Sequence, residues 1–275
     1  MKLIVFTDMD GTILDFNTYS YEESLPAIRY LKQYGIPIVL CSAKTISEIM
    51  LYQRELDIAD PFIAENGSVI KIPKGYFKIN IRDALDEGNK LTIELGLKID
   101  RLKEIIKPSL QRVNVNYKLF TEMSVEEIAA DSSLPLEQAR LARERLYSET
   151  IKIIGGESEV RKALKALMEA GLNCSYGGRY IIVNHGSNKG YAVQKLTELY
   201  RREYGEVITC AFGDSKSDES MLRAVDIPIL VKNAFGNWTD IEVPNLIKID
   251  DIGPRGFKSG VEKVLHPIIE RLLSN

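Results

Sequence analysis

Leu3-Ile4-Val5-Phe6-Thr7-Asp8-Met9-Asp10-Gly11-Thr12 decides how the rest of the chain reads. A short run rich in Ile, Val and Phe is the mark of a buried strand. Here it ends abruptly in two acids one residue apart. Side chains at i and i+2 of an extended strand point the same way. Asp8 and Asp10 are therefore expected on one face at the carboxyl edge of a sheet, the edge at which open α/β sheets bind ligands. Two crowded carboxylates repel unless a cation or proton stands between them, and a hard cation such as Mg²⁺ takes oxygen ligands of this kind. Gly11 and Thr12 add N–H groups and a hydroxyl suited to an anion. Asp-Gly is also a common surface-turn pair, so the stretch alone leaves a solvated turn and a ligand site both open.

Bulk properties narrow the class. The 275 residues are 45% hydrophobic and 27% charged, with a formal net charge of −3. That balance argues against a nucleic-acid binder, which shows a basic face. No apolar run approaches the ~20 residues of a membrane span, and the acidic turn after the first strand is unlike a secretory signal. Cys41, Cys174 and Cys210 are an odd number without CxxC spacing, which fits buried thiols in a reducing cytoplasm better than disulfides or zinc. With only His185 and His266, a multi-histidine metal site is close to excluded. No feature fixes an oligomeric state.

Outward from the first strand, helical spacing runs from Tyr21 to Tyr34 and stops at Gly35. Ile36–Ser42 reads as a second strand. Thr45–Leu56 reads as a helix opened by a Thr45/Glu48 capping box, and Phe62-Ile63-Ala64 as a third strand. This alternation predicts a parallel sheet with right-handed crossovers. From about Asp83 the pattern changes to successive helices (100–113, 124–131, 136–146), a strand at 149–154, a helix at 157–170, and a hairpin of 172–176 and 180–184 about Gly177-Gly178. After Lys189 the α/β alternation returns: a helix to Tyr204, an apolar strand 207–212 broken at Gly213-Asp214-Ser215, a strand at 227–231 and a closing helix 256–273. The expectation is a Rossmann-like parallel-sheet core of residues 1–83 and 189–275, carrying an inserted α+β cap of residues 84–188.

Asp8 and Asp10 after the first strand, Ser42 at the end of the second, Lys189 at a helix start, and Asp214 with Asp218 after a late strand all stand where a parallel sheet brings its ends to one edge. The set Asp8-Met9-Asp10-Gly11-Thr12, Ser42, Lys189 and Gly213-Asp214-Ser215-Lys216-Ser217-Asp218 resembles the four motifs of the haloacid dehalogenase superfamily, and the cap's position resembles its large-cap (type IIB) branch. The resemblance implies a Mg²⁺-dependent phosphatase. In it Asp8 is the nucleophile, Asp10 the general acid/base, and Asp8, Asp10 (through its main-chain carbonyl), Asp214 and Asp218 hold or orient the metal. Ser42 and Lys189 contact the phosphoryl group and its charge. Ser217 stands where many relatives carry Asn.

Cys41-Ser42-Ala43-Lys44-Thr45, Glu65-Asn66-Gly67, Arg145-Leu146-Tyr147-Ser148-Glu149, Gly177-Gly178-Arg179-Tyr180 and Gly253-Pro254-Arg255-Gly256-Phe257 further resemble the mannosyl-3-phosphoglycerate phosphatases. That implies a small phosphorylated glycosyl-glycerate substrate and mannosylglycerate as product. Arg145 and Arg179 offer planar forks for a carboxylate. Glu149 and Asn66 suit sugar hydroxyls, and Thr12 and Lys44 the phosphate. The competing readings are a solvated helix charge for Arg145, a turn residue for Arg179, a plain hairpin turn for Glu65-Asn66-Gly67 and a helix-start lysine for Lys44. Other sugar-phosphate phosphatases (glucosyl-3-phosphoglycerate, sucrose phosphate), a sugar phosphomutase and a phosphoaspartate receiver stay open as alternatives.

Overall fold

The apolar run Lys2–Thr7 is the inner strand of the molecule, with Ile4, Val5 and Phe6 wholly buried. The computed structural model describes residues 1–176 and 179–274. Its elements begin β1 (Lys2–Thr7), α1 (Leu25–Gln33), β2 (Ile38–Leu40), α2 (Ile46–Glu55), β3 (Phe62–Ala64), β4 (Val69–Pro73), β5 (Leu85–Asp86), β6 (Lys90–Glu94) and α3 (Ile99–Arg112). They continue with β7 (Asn116–Leu119), α4 (Val125–Ser132), α5 (Leu136–Arg143), β8 (Glu149–Ile154), α6 (Glu157–Glu169), β9 (Asn173–Tyr176), β10 (Ile181–Asn184) and α7 (Lys189–Tyr204). The last are β11 (Val207–Gly213), α8 (Glu219–Arg223), β12 (Ile227–Lys232), β13 (Ile247–Ile252), α9 (Gly253–Gly260) and α10 (His266–Leu273).

The main sheet runs β13-β12-β11-β1-β2, all parallel. From β1 the chain winds outward to β2 on one side, and the returning C-terminal part fills the other, which puts a switch point at the carboxyl end of β1. Alternate β1 residues feed two cores, as strand geometry requires. Leu3 and Val5 pack with α1, α9 and α10. Ile4 and Phe6 pack with Ala192, Val193 and Leu196 of α7 and with Met221 and Leu222 of α8. The inserted unit has its own core, where Leu102 and Ile106 of α3 and Ala163 and Leu167 of α6 cover Ile151, Ile181 and Val183 of the antiparallel sheet β7-β8-β10-β9. The predicted capping box at Thr45 is present.

Three expectations change. The third strand does not join the parallel sheet. One parallel bridge, Cys41 to Ile63, links it to that side, while β3 pairs antiparallel with β4 in the sheet β3-β4-β6-β5. The cause is local: Glu65, Asn66 and Gly67 all have positive φ (51°, 58° and 88°), which reverses the chain. Glu65-Asn66-Gly67 is thus the turn of the β3–β4 hairpin. Residues 85–94, assigned to the insertion from sequence, hydrogen-bond back towards β4. The closing helix is two helices joined through a π-helical stretch, Val261–Leu265. Pro267 supplies no N–H to the preceding turn and its ring crowds it. The centre of the predicted β9–β10 hairpin, Gly177-Gly178, lies outside the described residues.

Leu196 is fully buried between α7 and the parallel sheet. Leu196→Ala is expected to destabilise the protein by about 2–5 kcal/mol, read as a lower urea midpoint with an unchanged m-value.

Candidate active site

The carboxyl edge of the main sheet gathers the acids. Asp8 leaves β1 with its N–H on the Phe212 carbonyl at 2.9 Å, so the ladder between β1 and β11 fixes its backbone. The loop then tightens: the Met9 carbonyl accepts N–H groups from Thr12, Ile13 and Leu14 at 3.1, 3.0 and 2.9 Å. Gly11 has φ +78°, and a Cβ there would stand 2.5 Å from Asp214 Oδ2, so only glycine lets the loop pass this close. Lys189, the first residue of α7, is 2% exposed; its Nζ donates to Asp8 Oδ1 at 2.6 Å and to Asp218 Oδ1 at 2.7 Å. Asp218 Oδ2 accepts from the N–H of Asp214 (3.2 Å), the N–H of Ser215 (3.0 Å) and Ser215 Oγ (2.8 Å). Asp218 is therefore fully engaged, holding the lysine with one oxygen and the Asp214 loop with the other.

Asp8, Asp214 and Asp218 each offer a carboxylate oxygen within 4.8 Å of the others. Burial pushes the Asp8 carboxyl up to about 7, with Asp218 adding to the rise and Lys189 opposing it. Burial likewise raises Asp214, helped by Asp218 and Asp8. Burial alone lowers the Lys189 ammonium, but Asp218 and Asp8 outweigh it and keep the charge. One ammonium among three buried acids leaves carboxylates that only a proton or a cation can neutralise, and the buried Asp214 Oδ1 has no hydrogen-bond partner. An all-oxygen set with an oxygen lacking a donor fits a hard divalent cation.

Asp10 lines the same cleft but meets a different lysine. Its Oδ1 lies 3.0 Å from Lys44 Nζ, a charge contact outside hydrogen-bond geometry. Lys44 is held by Glu48 at 3.7 Å and by the ring faces of Tyr19 and Tyr52 at 5.0 and 5.6 Å. The two acids that the strand pattern put on one face thus take two different lysines. Ser42 closes the site from β2: its Oγ accepts the Lys44 N–H at 3.2 Å, and its carbonyl accepts the Asn66 N–H at 3.0 Å.

Asp8, Asp10, Ser42, Lys189 and Asp214 line a cleft of 390 Å³, faced from the inserted unit by Ser175, Tyr176 and Ile182. A recess of 120 Å³ adjoins it, walled by Asn66, Ser175, Ser217 and Lys189. Asn66 donates to Ser175 Oγ at 3.4 Å and leaves its buried Oδ1 without a partner.

The remaining substrate residues expected from sequence are not on the cleft wall. Thr12 is buried, with Oγ1 unpartnered. Arg145 is no solvated helix charge: it is buried and donates from Nη1 to the Ala43 carbonyl (3.2 Å) and to Ser148 Oγ (2.8 Å). Glu149 is fully buried, accepting the Thr150 N–H at 2.9 Å and bonded to Thr121 Oγ1. Burial raises its carboxyl, with Thr121 and Arg145 opposing. Arg179 is exposed, its guanidinium on the Asp131 and Ser132 carbonyls at the end of α4 and beside the Tyr180 ring. The turn before β8 packs Arg145 and Glu149 against the core, leaving the buried Arg145 Nε without a partner, and Arg179 meets the carbonyls that end α4. Sequence reasoning overlooked Glu65, Tyr19, Ser175 and Tyr176. Only Glu65 left a trace, its place beside an Asn-Gly pair.

A family model described as haloacid dehalogenase-like hydrolase matches residues 5–238. The chain is 38% identical over 262 residues to a glucosyl-3-phosphoglycerate/mannosyl-3-phosphoglycerate phosphatase of Methanococcoides burtonii, covering 95% of this chain and 96% of that protein. It is 36% identical over 254 residues to a mannosyl-3-phosphoglycerate phosphatase of Pyrococcus horikoshii, covering 92% and 98%. A solved haloacid dehalogenase-like hydrolase from B. subtilis superposes with a TM-score of 0.66 at 19% identity over 96% of this chain and 100% of that one, which shows a shared fold.

A divalent cation is expected to raise the melting temperature, by about 2.7 kcal/mol of added stability at a hundredfold excess over Kd. Protons compete for Asp8 and Asp214, which burial makes hold them more tightly. The gain is therefore expected to be larger at about pH 8 than at about pH 5, and absent in Asp214→Asn. Thermal scans with and without the cation check all three.

Proposed function

The chain belongs to the haloacid dehalogenase-like hydrolases, and from that premise we propose that it is a magnesium-dependent phosphatase that works through an aspartyl-phosphate on mannosyl-3-phosphoglycerate or its glucosyl counterpart. The observation that carries the chemistry is the arrangement at the cleft floor: a buried Asp8 carboxylate held by Lys189 beside an Asp214 oxygen that no donor satisfies. The substrate follows from the likeness to a glucosyl-3-phosphoglycerate/mannosyl-3-phosphoglycerate phosphatase and a mannosyl-3-phosphoglycerate phosphatase.

In this reading a carboxylate oxygen of Asp8 attacks phosphorus, and the bond to the glycerate oxygen breaks as Asp10 gives that oxygen a proton. Asp10, now ionised, takes a proton from a water that attacks the aspartyl-phosphate, releasing phosphate and restoring Asp8. Asp8, Asp214 and the Asp10 carbonyl would hold magnesium, which when bound would supply the positive charge that lets an anionic carboxylate approach a phosphate dianion. Lys189 fixes the Asp8 carboxylate and balances charge gathered in transfer. Asp218 holds Lys189 and the backbone of the Asp214 loop. The Ser42 hydroxyl donates to a phosphoryl oxygen. Lys44 orients the Asp10 carboxylate, which must first give and then take a proton. The recess beside Asn66 and Ser175 takes sugar hydroxyls, since the buried Asn66 Oδ1 has no partner there and the serine and asparagine side chains can both donate and accept.

We take the cap as residues 97–187 rather than 84–188, because 85–94 pair towards β4. No helix among the described residues is long and apolar enough to cross a membrane. We place the enzyme in the cytoplasm, where the buried Cys41 and Cys210 stay reduced.

Phosphate release from a panel of glycosyl-phosphoglycerates and sucrose phosphate, with and without Mg²⁺, tests this reading. Release chiefly from the glycosyl-phosphoglycerates, and only with the ion, is expected. An isomerised sugar phosphate without free phosphate, or a phosphoaspartate that survives for minutes, overturns it. Asp8→Asn keeps the acceptor for Lys189 but removes the nucleophile, and is expected to lower turnover on the order of 10³-fold or more with the circular-dichroism spectrum unchanged.

A further inference from the structure

Two chain crossings join the inserted unit to the core, and both meet the turn 65–68. On the way out, the N–H groups of Leu95 and Gly96 donate to the Ser68 carbonyl at 2.8 and 2.9 Å. On the way back, Asn184 Nδ2 donates to Ser68 Oγ at 2.9 Å and Ser187 Oγ to the Gly67 carbonyl at 2.5 Å. Gly67 sits so close to the return that a Cβ on it would stand 2.2 Å from the Asn188 carbonyl, immediately before Lys189. Two crossings at one place leave the orientation of the inserted unit to be set by contacts elsewhere.

A third attachment supplies such contacts. The Glu65 side chain, wholly buried, reaches into the inserted unit and accepts the N–H of Leu146 on Oε1 at 3.0 Å, and the N–H of Tyr147 and Ser148 Oγ on Oε2 at 2.9 and 2.7 Å. Its backbone is tied to the catalytic loop, since Glu65 N donates to the Lys44 carbonyl and Asn66 N to the Ser42 carbonyl, each at 3.0 Å. Thr45 Oγ1 to the Leu141 carbonyl and Arg145 Nη1 to the Ala43 carbonyl extend the same edge, at 2.9 and 3.2 Å. Positive φ at both Glu65 and Asn66 aims one side chain at the inserted unit and the other at the recess by Lys189.

We propose that Glu65 is a positioning residue for the reaction: its buried carboxylate latches the turn 146–148 and holds the inserted unit in register over the Asp8 cleft. This rests on the phosphatase reading above. A substrate that must touch both units binds only the registered state, so a smaller registered fraction raises its apparent dissociation constant in proportion. A small phosphate ester needs the core alone and does not share that loss.

Glu65→Gln keeps the shape but turns an –NH₂ towards donors. With hydrogen bonds to a charged acceptor lost, KM for a glycosyl-phosphoglycerate is expected to rise about 10- to 100-fold. In the same variant kcat/KM for p-nitrophenyl phosphate changes less than about threefold, as both units remain folded. In hydrogen exchange, the amides of Leu146 and Tyr147 are expected to quicken at least about tenfold while those of β1 and β11 stay protected. Equal losses on both substrates, or unchanged exchange at 146–147, overturn the latch. If Glu65→Gln folds poorly, Ser148→Ala removes one donor and shows the same pattern at smaller scale; its failure to do so counts equally against the proposal. Absence of phosphate release from either substrate by the unmodified protein sinks the phosphatase reading instead, and the exchange experiment then decides the latch alone.

Discussion

The Lys189 ammonium between Asp8 and Asp218 is the contact on which the rest of the molecule depends. It joins residues 181 and 29 positions apart, and so ties the end of β1, the loop after β11 and the start of α7 at one buried point. Removing one partner of a buried charge cluster costs about 3–5 kcal/mol, because the remaining charge has neither water nor a counter-ion. The burial that makes this point expensive to break also makes it an exact support for chemistry, since side chains packed this tightly have little room to move. The return of the chain after the insertion is therefore fixed by electrostatics as much as by packing.

Charge is divided unevenly across the site, and the division separates roles. Lys189 is matched against Asp8, Asp214 and Asp218, which leaves carboxylates for a proton or a cation to neutralise where Asp214 Oδ1 lacks a donor. Lys44 attends to Asp10, steadied by Glu48 and by the rings of Tyr19 and Tyr52. Two acids one residue apart so occupy different electrostatic surroundings, the usual way in which neighbouring carboxylates come to do different work. The inserted unit adds few charges at the cleft and closes it with Ser175, Tyr176 and Ile182 instead.

Much of this was legible in the sequence because it is written in local pattern. The apolar run before Asp8, the Thr45/Glu48 capping box and the late strand before Asp214 each declare themselves within a few residues, and their order implies a sheet whose edge gathers the acids. Local pattern says less where a side chain's surroundings depend on what packs against it. Arg145 looked like a solvated charge or a carboxylate clamp, yet it is buried against the Ala43 carbonyl and Ser148. Glu149 and Arg179 likewise meet protein partners. Glu65, passed over beside Asn66, carries three hydrogen bonds from a turn about eighty residues away.

The sequence by itself determined the parallel core, the insertion and the identity of the acids and lysines at the sheet edge, since strand periodicity and motif order are properties of neighbouring residues. Only the tertiary structure decided which lysine serves which acid, that β3 turns back antiparallel, and how the inserted unit is held. Those outcomes follow from three successive left-handed residues, for which the Asn66-Gly67 pair offered a hairpin turn only as one of two readings, and from contacts between segments far apart in the chain, whose distances cannot be read from the order of residues.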